Sequence, residues 1–248
     1  MIRRESLHDK VVRHLALQIL KGDVTTLPNE ADLGKDLRVS RSILRESIKV
    51  LAAKGLLEVS PKTGTRVRPR KDWNLLDPQL LEWISEVGIE EHFFENLTEL
   101  RSILEPKAAE LAALRATESD IEEIRSAWEG MRLSGDDREA YNVADLRFHQ
   151  AILAASHNEL LYRVGGLTRV LLRMSFAVTS ASWGPVSASL PAHKDVLDAI
   201  VGRNPGTARK HTEDIIALAT AGLRKAHDYK AHLRMPVWDK TPVTAAQD

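Results

Sequence analysis

Arg41, Ser42, Arg45 and Lys49 fall at intervals that, at 100° per residue, place them on one arc of about 100° of a helix, with Leu44, Ile48 and Leu51 opposite. An arginine fork on such an arc can donate two hydrogen bonds to guanine O6 and N7, and the DNA major groove admits an α-helix. Ser40 and Ser42 stand at the start of the same helix, where hydroxyls and free backbone N–H groups can bond phosphate together. Thr65 and Arg66, directly after Gly64, can do likewise. The alternative for this whole set is a solvated basic helix in a module that binds protein.

A second set of residues lies in the other part of the chain. Asp145 and His149 are spaced i, i+4, so both side chains point to one side of a helix and can chelate one ion, although most such pairs are only solvated. Arg101 interrupts an otherwise apolar helix, where its planar fork suits a ligand carboxylate; the competing reading is an ion pair with Glu105. Trp183, in SASWGP, can stack on a ligand face or plug a helical core, and Arg224 is a further cation on the last helix. Gly165-Gly166 lacks the GxGxxG pattern of a phosphate loop and reads as close helix packing. With no further carboxylate placed as a general base, no enzyme is expected. A metal-dependent hydrolase tethered to DNA and an architectural DNA protein without effector are the rival readings.

The elements that must position these residues follow from local signals. Ser6 with Asp9, Asn29 with Asp32, and Ser40 are helix starts, and Gly22 and Gly55 are stops. Leu7, Val11, Leu15 and Ile19 form one apolar stripe. After Gly55, LLEVS and TRVRP read as a two-stranded hairpin with Gly64 at the turn. Helix, helix, turn, helix and basic hairpin make a winged helix-turn-helix. RPRKDWNLLDP reads as a linker. Beyond it, helices are predicted from Pro78, over 90–116, from Thr117, and over 137–156, 158–182, 189–202 and 206–233, with no strand alternation. The fold class is therefore mainly α, an N-terminal winged helix-turn-helix followed by an all-α helical bundle. The expected domains are 1–71, a connecting segment 72–83, a helical ligand-binding and dimerisation domain 84–234, and a tail 235–248.

The 248 residues carry 35 Lys and Arg against 35 Asp and Glu, a net charge of zero. The distribution is uneven: residues 1–72 hold 16 basic against 9 acidic side chains. A basic module joined to an acidic one points to nucleic acid at one end. Zero cysteines exclude disulfides and thiolate ligation. No apolar run approaches the twenty residues of a membrane span, and the N-terminus lacks a secretory signal, so a cytoplasmic protein without a membrane partner is expected.

LPNEADLGKDLRVSRSILRESIKVLAAKGLLEVSPKTGTRV resembles the winged helix of the GntR family of bacterial transcription regulators. Leu27-Pro28, Glu30, Leu33, Val39-Ser40-Arg41, Leu44-Arg45-Glu46, Leu51 and Gly55-Leu56 carry the resemblance. It implies that Arg41 and Arg45 read an operator, with Ser40 and Ser42 alongside. Ala31 stands where many members carry arginine, and Lys62 replaces the first wing glycine. LRSILEPKAAELAA and NVADLRFHQAILAASHN, the latter beginning at Asn142, resemble the helical FCD-type ligand-binding domain of the FadR subgroup. WNLLDPQLLEW is similar to repressors of sugar-acid catabolism within that subgroup.

The resemblance implies a homodimer on a pseudo-palindromic double-stranded operator, acting as a repressor. A small carboxylate, of the sugar-acid kind, would contact Arg101, Asn142, Trp183 and Arg224 and release the DNA. It also implies a divalent metal, zinc or nickel, on Asp145, His149 and His193. Ile215 occupies the position of the remaining histidine, so three ligands stand where relatives supply four; His211, one turn earlier, lies about 6 Å away along the axis.

Overall fold

Polar side chains start the helices. Ser6 and Asp9 form a reciprocal capping box ahead of α1 (Leu7–Leu20). Asn29 accepts from the N–H groups of Ala31 and Asp32 at the head of α2 (Glu30–Asp36), and Ser40 accepts from Ile43 N–H to begin α3 (Arg41–Ala53). Each bond satisfies donors that a first helical turn leaves open. The computed structural model describes residues 6–60, 62, 64–88, 91–165 and 186–230. They divide into two compact units between residues 89 and 90.

In the first unit, α1 buries Val11, Val12, Leu15, Ala16, Ile19 and Leu20, whereas Leu7, in its first turn, is 53% exposed. Arg38, with a φ of 53°, makes the tight turn between α2 and α3. Leu44, Ser47, Ile48 and Leu51 turn the inner face of α3 to this core. β1 (Leu57–Ser60) and β2 (Gly64–Val67) then pair antiparallel from Leu57 opposite Val67 to Ser60 opposite Gly64. The hairpin is tied back to the helices by a pairing with no sequence signal: Leu27 N–H donates to Thr65 O (2.9 Å) and Val67 N–H to Thr25 O (3.0 Å).

The segment read as a linker packs against α3. Asn74 N–H donates to Lys54 O (2.9 Å), and Trp73 Nε1–H donates to Arg68 O (2.9 Å). A Cβ on Gly55, whose φ is +78°, would lie 2.4 Å from Asp72 O, so only glycine admits this approach. α4 (Pro78–Val87) follows, with Asp77 capping Leu80 N–H while both its carboxylate oxygens take Lys54 Nζ at 2.8 Å. Lys54 Nζ also lies 5.6 Å from the centroid of the Trp83 ring. An Arg13–Glu86 ion pair joins α4 to α1. Residues 72–83 therefore belong to the first compact unit.

The second unit is helical throughout its described residues. α5 (Glu91–Arg115) and α6 (Glu118–Leu133) are separated by a Thr117–Asp120 capping box. α7 (Arg138–Ala155) is capped by Asp137, and residues 159–165 are helical. α8 (Leu190–Val201) and α9 (Pro205–Lys230) complete it. Ala108, Ala109, Ala112 and Ala113 give α5 a small inner face, packed with Ile124, Phe148, Ile152, Val196, Ile200 and Ile215 in one core. Small residues let helix axes approach closely. Gly165 serves the same end, since a Cβ there would meet the Leu153 side chain at 2.6 Å. Gly166, the remainder of the 158–182 helix expectation and the tail 235–248 lie outside the described residues. No helix among the described residues is long and apolar enough to cross a membrane.

Candidate nucleic-acid interface and buried polar site

The outer face of α3 carries the predicted arc. Arg41, Ser42, Arg45 and Lys49 are exposed, and the opposite side is core. The Arg45 side chain is 67% exposed and only loosely paired, with Nε 3.6 Å from Glu30 Oε1. Lys49 Nζ lies 2.8 Å from Glu46, also on the surface. Exposed pairs of this kind are weak, so both cations remain available to a polyanion. The Ser40 oxygen is already used as the cap of α3, which leaves its O–H free to donate. On the wing, Gly64 and Arg66 are exposed and Thr65 is half-buried. The first unit thus presents one helix face and one hairpin, both basic.

In the second unit three helices bring five ionisable side chains together inside the core. Arg101 and Glu105 come from α5, Asp145 and His149 from α7, and His193 from α8. Their residues are 3–5% exposed. Arg101 Nε donates to Glu105 Oε1 at 2.6 Å, the ion pair weighed above as the competing reading of Arg101. The other Glu105 oxygen lies 2.9 Å from His149 Nδ1 in ion-pair contact but off the line of a hydrogen bond. His149 Nε2 faces Arg101 at 3.2 Å and Asp145 Oδ1 at 3.6 Å.

His193 Nδ1 donates to Ser189 O at 2.8 Å, which leaves Nε2 to face Asp145. That Nε2 is buried, has no hydrogen-bond partner, and sits 2.9 Å from Asp145 Oδ1. At that distance the two atoms need a cation between them, either a proton on Nε2 or a metal ion. Ligand atoms around 2.1 Å from one metal are spaced about 3.0–3.4 Å from each other; the observed 2.9 Å and 3.6 Å bracket that spacing. Asp145, His149 and His193 therefore fit a divalent ion, and they are the one such group among the described residues. Ser189 O and Glu105 sit behind the two rings, where outer groups orient metal-binding imidazoles.

Electrostatics follow the same geometry. Burial would raise the Asp145 carboxyl, but hydrogen bonds and charge from His149 and His193 hold it far below the ordinary carboxylate range. Burial would lower the His149 pKa, yet Glu105 and Asp145 outweigh it and raise it to about 9. Glu105 is likewise lowered against its own burial by Arg101 and His149. Tyr141, hydrogen-bonded to the Ser189 hydroxyl, is pushed up by burial and by Asp145. His149 thus has two states: neutral, with an Nε2 lone pair open to Arg101 or a metal, or protonated between two carboxylates.

Of the remaining expected site residues, Asn142 is half-buried on α7, one turn before Asp145. Trp183 and the Arg224 side chain lie outside the described residues. Ile215 is part of the hydrophobic core, as its side chain requires, and His211 is not in the metal-ligating group. Glu105 entered the sequence reading only as a rival partner for Arg101, and Tyr141 and Ser189 did not enter it. The i, i+4 spacing of Arg101 and Glu105 was the available signal for the first; nothing local marked the other two.

Residues 7–67 match the bacterial regulatory proteins of the gntR family, and residues 96–218 match the FCD domain. The galactonate operon transcriptional repressor of Escherichia coli K12 is 35% identical over 224 residues, covering 88% of this chain and 96% of the relative. The chain belongs to the GntR family. It is a DNA-binding transcriptional regulator, and neither the family nor these relatives are enzymes. The hydrolase alternative falls with that. The regulator LutR of Bacillus subtilis is 31% identical over 182 residues, covering 71% of this chain and 81% of LutR. The Uxu operon transcriptional regulator of E. coli K12 is 31% identical over 153 residues, covering 61% and 58%. The solved structure of Lar, which controls the Listeria monocytogenes agr system, has a TM-score of 0.62 at 19% identity, covering 90% of this chain and 99% of Lar, and shows the shared fold.

Proposed function

We propose that this regulator is a homodimeric repressor that reads a pseudo-palindromic operator with Arg41 and Arg45 and releases it when a small carboxylate of the sugar-acid class binds the helical unit. Ser40, Ser42, Lys49 and the wing residues Gly64, Thr65 and Arg66 hold the phosphate backbone. The observation that carries the effector part is the buried cluster of Arg101, Glu105, Asp145, His149 and His193. A purely architectural bundle has no use for five ionisable groups in its core, because each costs desolvation. The names of the galactonate and Uxu relatives supply the sugar-acid class.

Asp145, His149 and His193 would hold zinc or nickel, which when bound supplies positive charge and open positions for effector oxygens. Arg101 would orient the effector carboxylate through the guanidinium edge that Glu105 leaves free, with Asn142, Trp183 and Arg224 as further contacts. Release requires only that the effector bind one arrangement of the paired DNA-reading units better than the other.

The test is a gel-shift on the upstream intergenic DNA, titrated with sugar acids. Wild type is expected to leave the DNA as the effector rises, while Arg101→Ala binds DNA normally and stays bound. Full release of Arg101→Ala at the wild-type effector concentration would sink the assignment.

A further inference from the structure

The acidic partner of Arg45 comes from a different helix. Glu30 is the first residue of α2, whose head is fixed by the Asn29 cap, and its Oε1 lies 3.6 Å from Arg45 Nε on the outer side of α3. The helix-turn-helix connection brings the two together. Lys49, by contrast, pairs with Glu46 on its own helix, a contact that any exposed helix can make. Among the described residues Arg41, on the same arc, forms no ion pair. The closest approach of Glu30 is through Nε, and among the described residues neither Nη atom of Arg45 is hydrogen-bonded. The contact is therefore loose enough to leave the terminal edge of the guanidinium free and one-sided enough to bias where that edge points.

We infer that Glu30 determines the sequence specificity of Arg45: it engages the guanidinium from the Nε side, turns the terminal Nη edge to a base, and keeps phosphate off that arginine. This rests on the proposed reading of the operator by α3. Two terminal nitrogens side by side suit guanine O6 and N7. A pair that is weak in water strengthens once a docked duplex excludes solvent, because the effective dielectric falls. The same carboxylate repels any phosphate that Arg45 approaches, and like charges brought together penalise that contact. Discrimination thus comes from repulsion of the wrong partner as much as from attraction to the right one. Glu30 acts through Arg45 and is a positioning residue, not a reader of bases.

The probes are a duplex that the wild-type protein selects from a randomised pool, its scrambled counterpart, and versions of the selected duplex with one base pair changed at a time. Fluorescence anisotropy on the full-length protein gives the affinity for each. Glu30→Gln, close in shape but uncharged, is expected to bind the scrambled duplex more tightly and the selected duplex no better. The ratio of the two affinities is expected to fall by about fivefold, the scale of an exposed ion pair counted once per half-site. The loss is expected at the base pair whose discrimination depends on Arg45, as Arg45→Ala reports, and not at pairs that depend on Arg41. In an Arg45→Ala background, Glu30→Gln is expected to change the ratio by less than about twofold. Asp32→Asn removes another acid from the first turn of α2 and is expected to keep the wild-type ratio, a pattern that general loosening of α2 would not produce.

Selected and scrambled duplexes that gain affinity equally in Glu30→Gln overturn the inference, since the glutamate is then a plain counter-charge. So does a loss of discrimination spread evenly over all base pairs, or one that persists undiminished in the Arg45→Ala background. If Arg45→Ala discriminates the selected duplex as wild type does, or if wild type enriches no sequence from the pool, the reading by α3 itself fails and this inference fails with it. Arg45-dependent discrimination that Glu30→Gln leaves intact removes the inference alone.

Discussion

At the scale of single residues, the two units ask opposite things of their charged side chains. Arg45 must be exposed and weakly paired to exchange partners, and with Nε 3.6 Å from Glu30 it is. Arg45→Ala is expected to weaken specific operator binding by about tenfold or more per half-site, the value of a bidentate base contact, while the melting temperature stays put. A gel-shift with wild-type affinity would remove α3 as the reader. His149 must instead be buried and held. Its pKa is raised from 6.5 to about 9, so its contribution to stability is fully present below pH 6.5 and is lost as pH rises through about 9. Chelator-treated protein is therefore expected to melt at progressively lower temperature across that interval. Saturating zinc, which takes the place of the proton, should flatten or invert the trend. A pH-independent melt of the metal-free protein would contradict the buried charged pairing of His149.

At the scale of elements, the decisive contact is the end of α3 against the chain leading into α4. Lys54 closes α3 and holds Asp77, which in turn caps α4, so one ion pair fixes both helix ends. Gly55 makes the approach possible. Gly55→Ala meets Asp72 O at 2.4 Å in addition to the strain of its positive φ, whereas Gly64→Ala meets nothing within 4 Å and carries the strain alone. The first change is expected to cost about 2 kcal/mol or more and the second about 1 kcal/mol. Thermal melts of the two variants compare them directly. Equal losses would mean that the packing of residues 72–74 on α3 adds nothing.

For the whole molecule, zero net charge conceals a basic N-terminal part and an acidic remainder. The two binding events should therefore respond differently to salt. Operator affinity is expected to fall by about a thousandfold between 50 and 200 mM salt if about six phosphates are neutralised. If the effector binds the proposed site inside the core, where screening is weak, its affinity is expected to change by less than about twofold. Fluorescence anisotropy for the first and calorimetry for the second measure both slopes. A steep slope for the effector would place its contacts on the surface and away from Arg101.

What the sequence determined by itself is what acts within a few residues along the chain. The Ser6–Asp9 and Thr117–Asp120 boxes, the caps at Asn29 and Ser40, the left-handed stop at Gly55 and the basic arc of α3 could all be read directly, because each depends on i, i+3 or i, i+4 neighbours. Asp145 and His149 were legible as a pair for the same reason. Tertiary structure decided the rest. Sequence spacing could not say that Thr25–Leu27 would pair with β2, or that RPRKDWNLLDP would pack on α3 instead of spanning a gap. Nor could it choose between partners for Arg101. Glu105 takes the guanidinium because the two share a helix face, but it faces His149 only because α5 packs on α7. His193 turns its Nε2 to Asp145 because Ser189 O holds Nδ1. These groups come from three helices far apart in sequence, and burial leaves each of them few partners other than those that packing delivers.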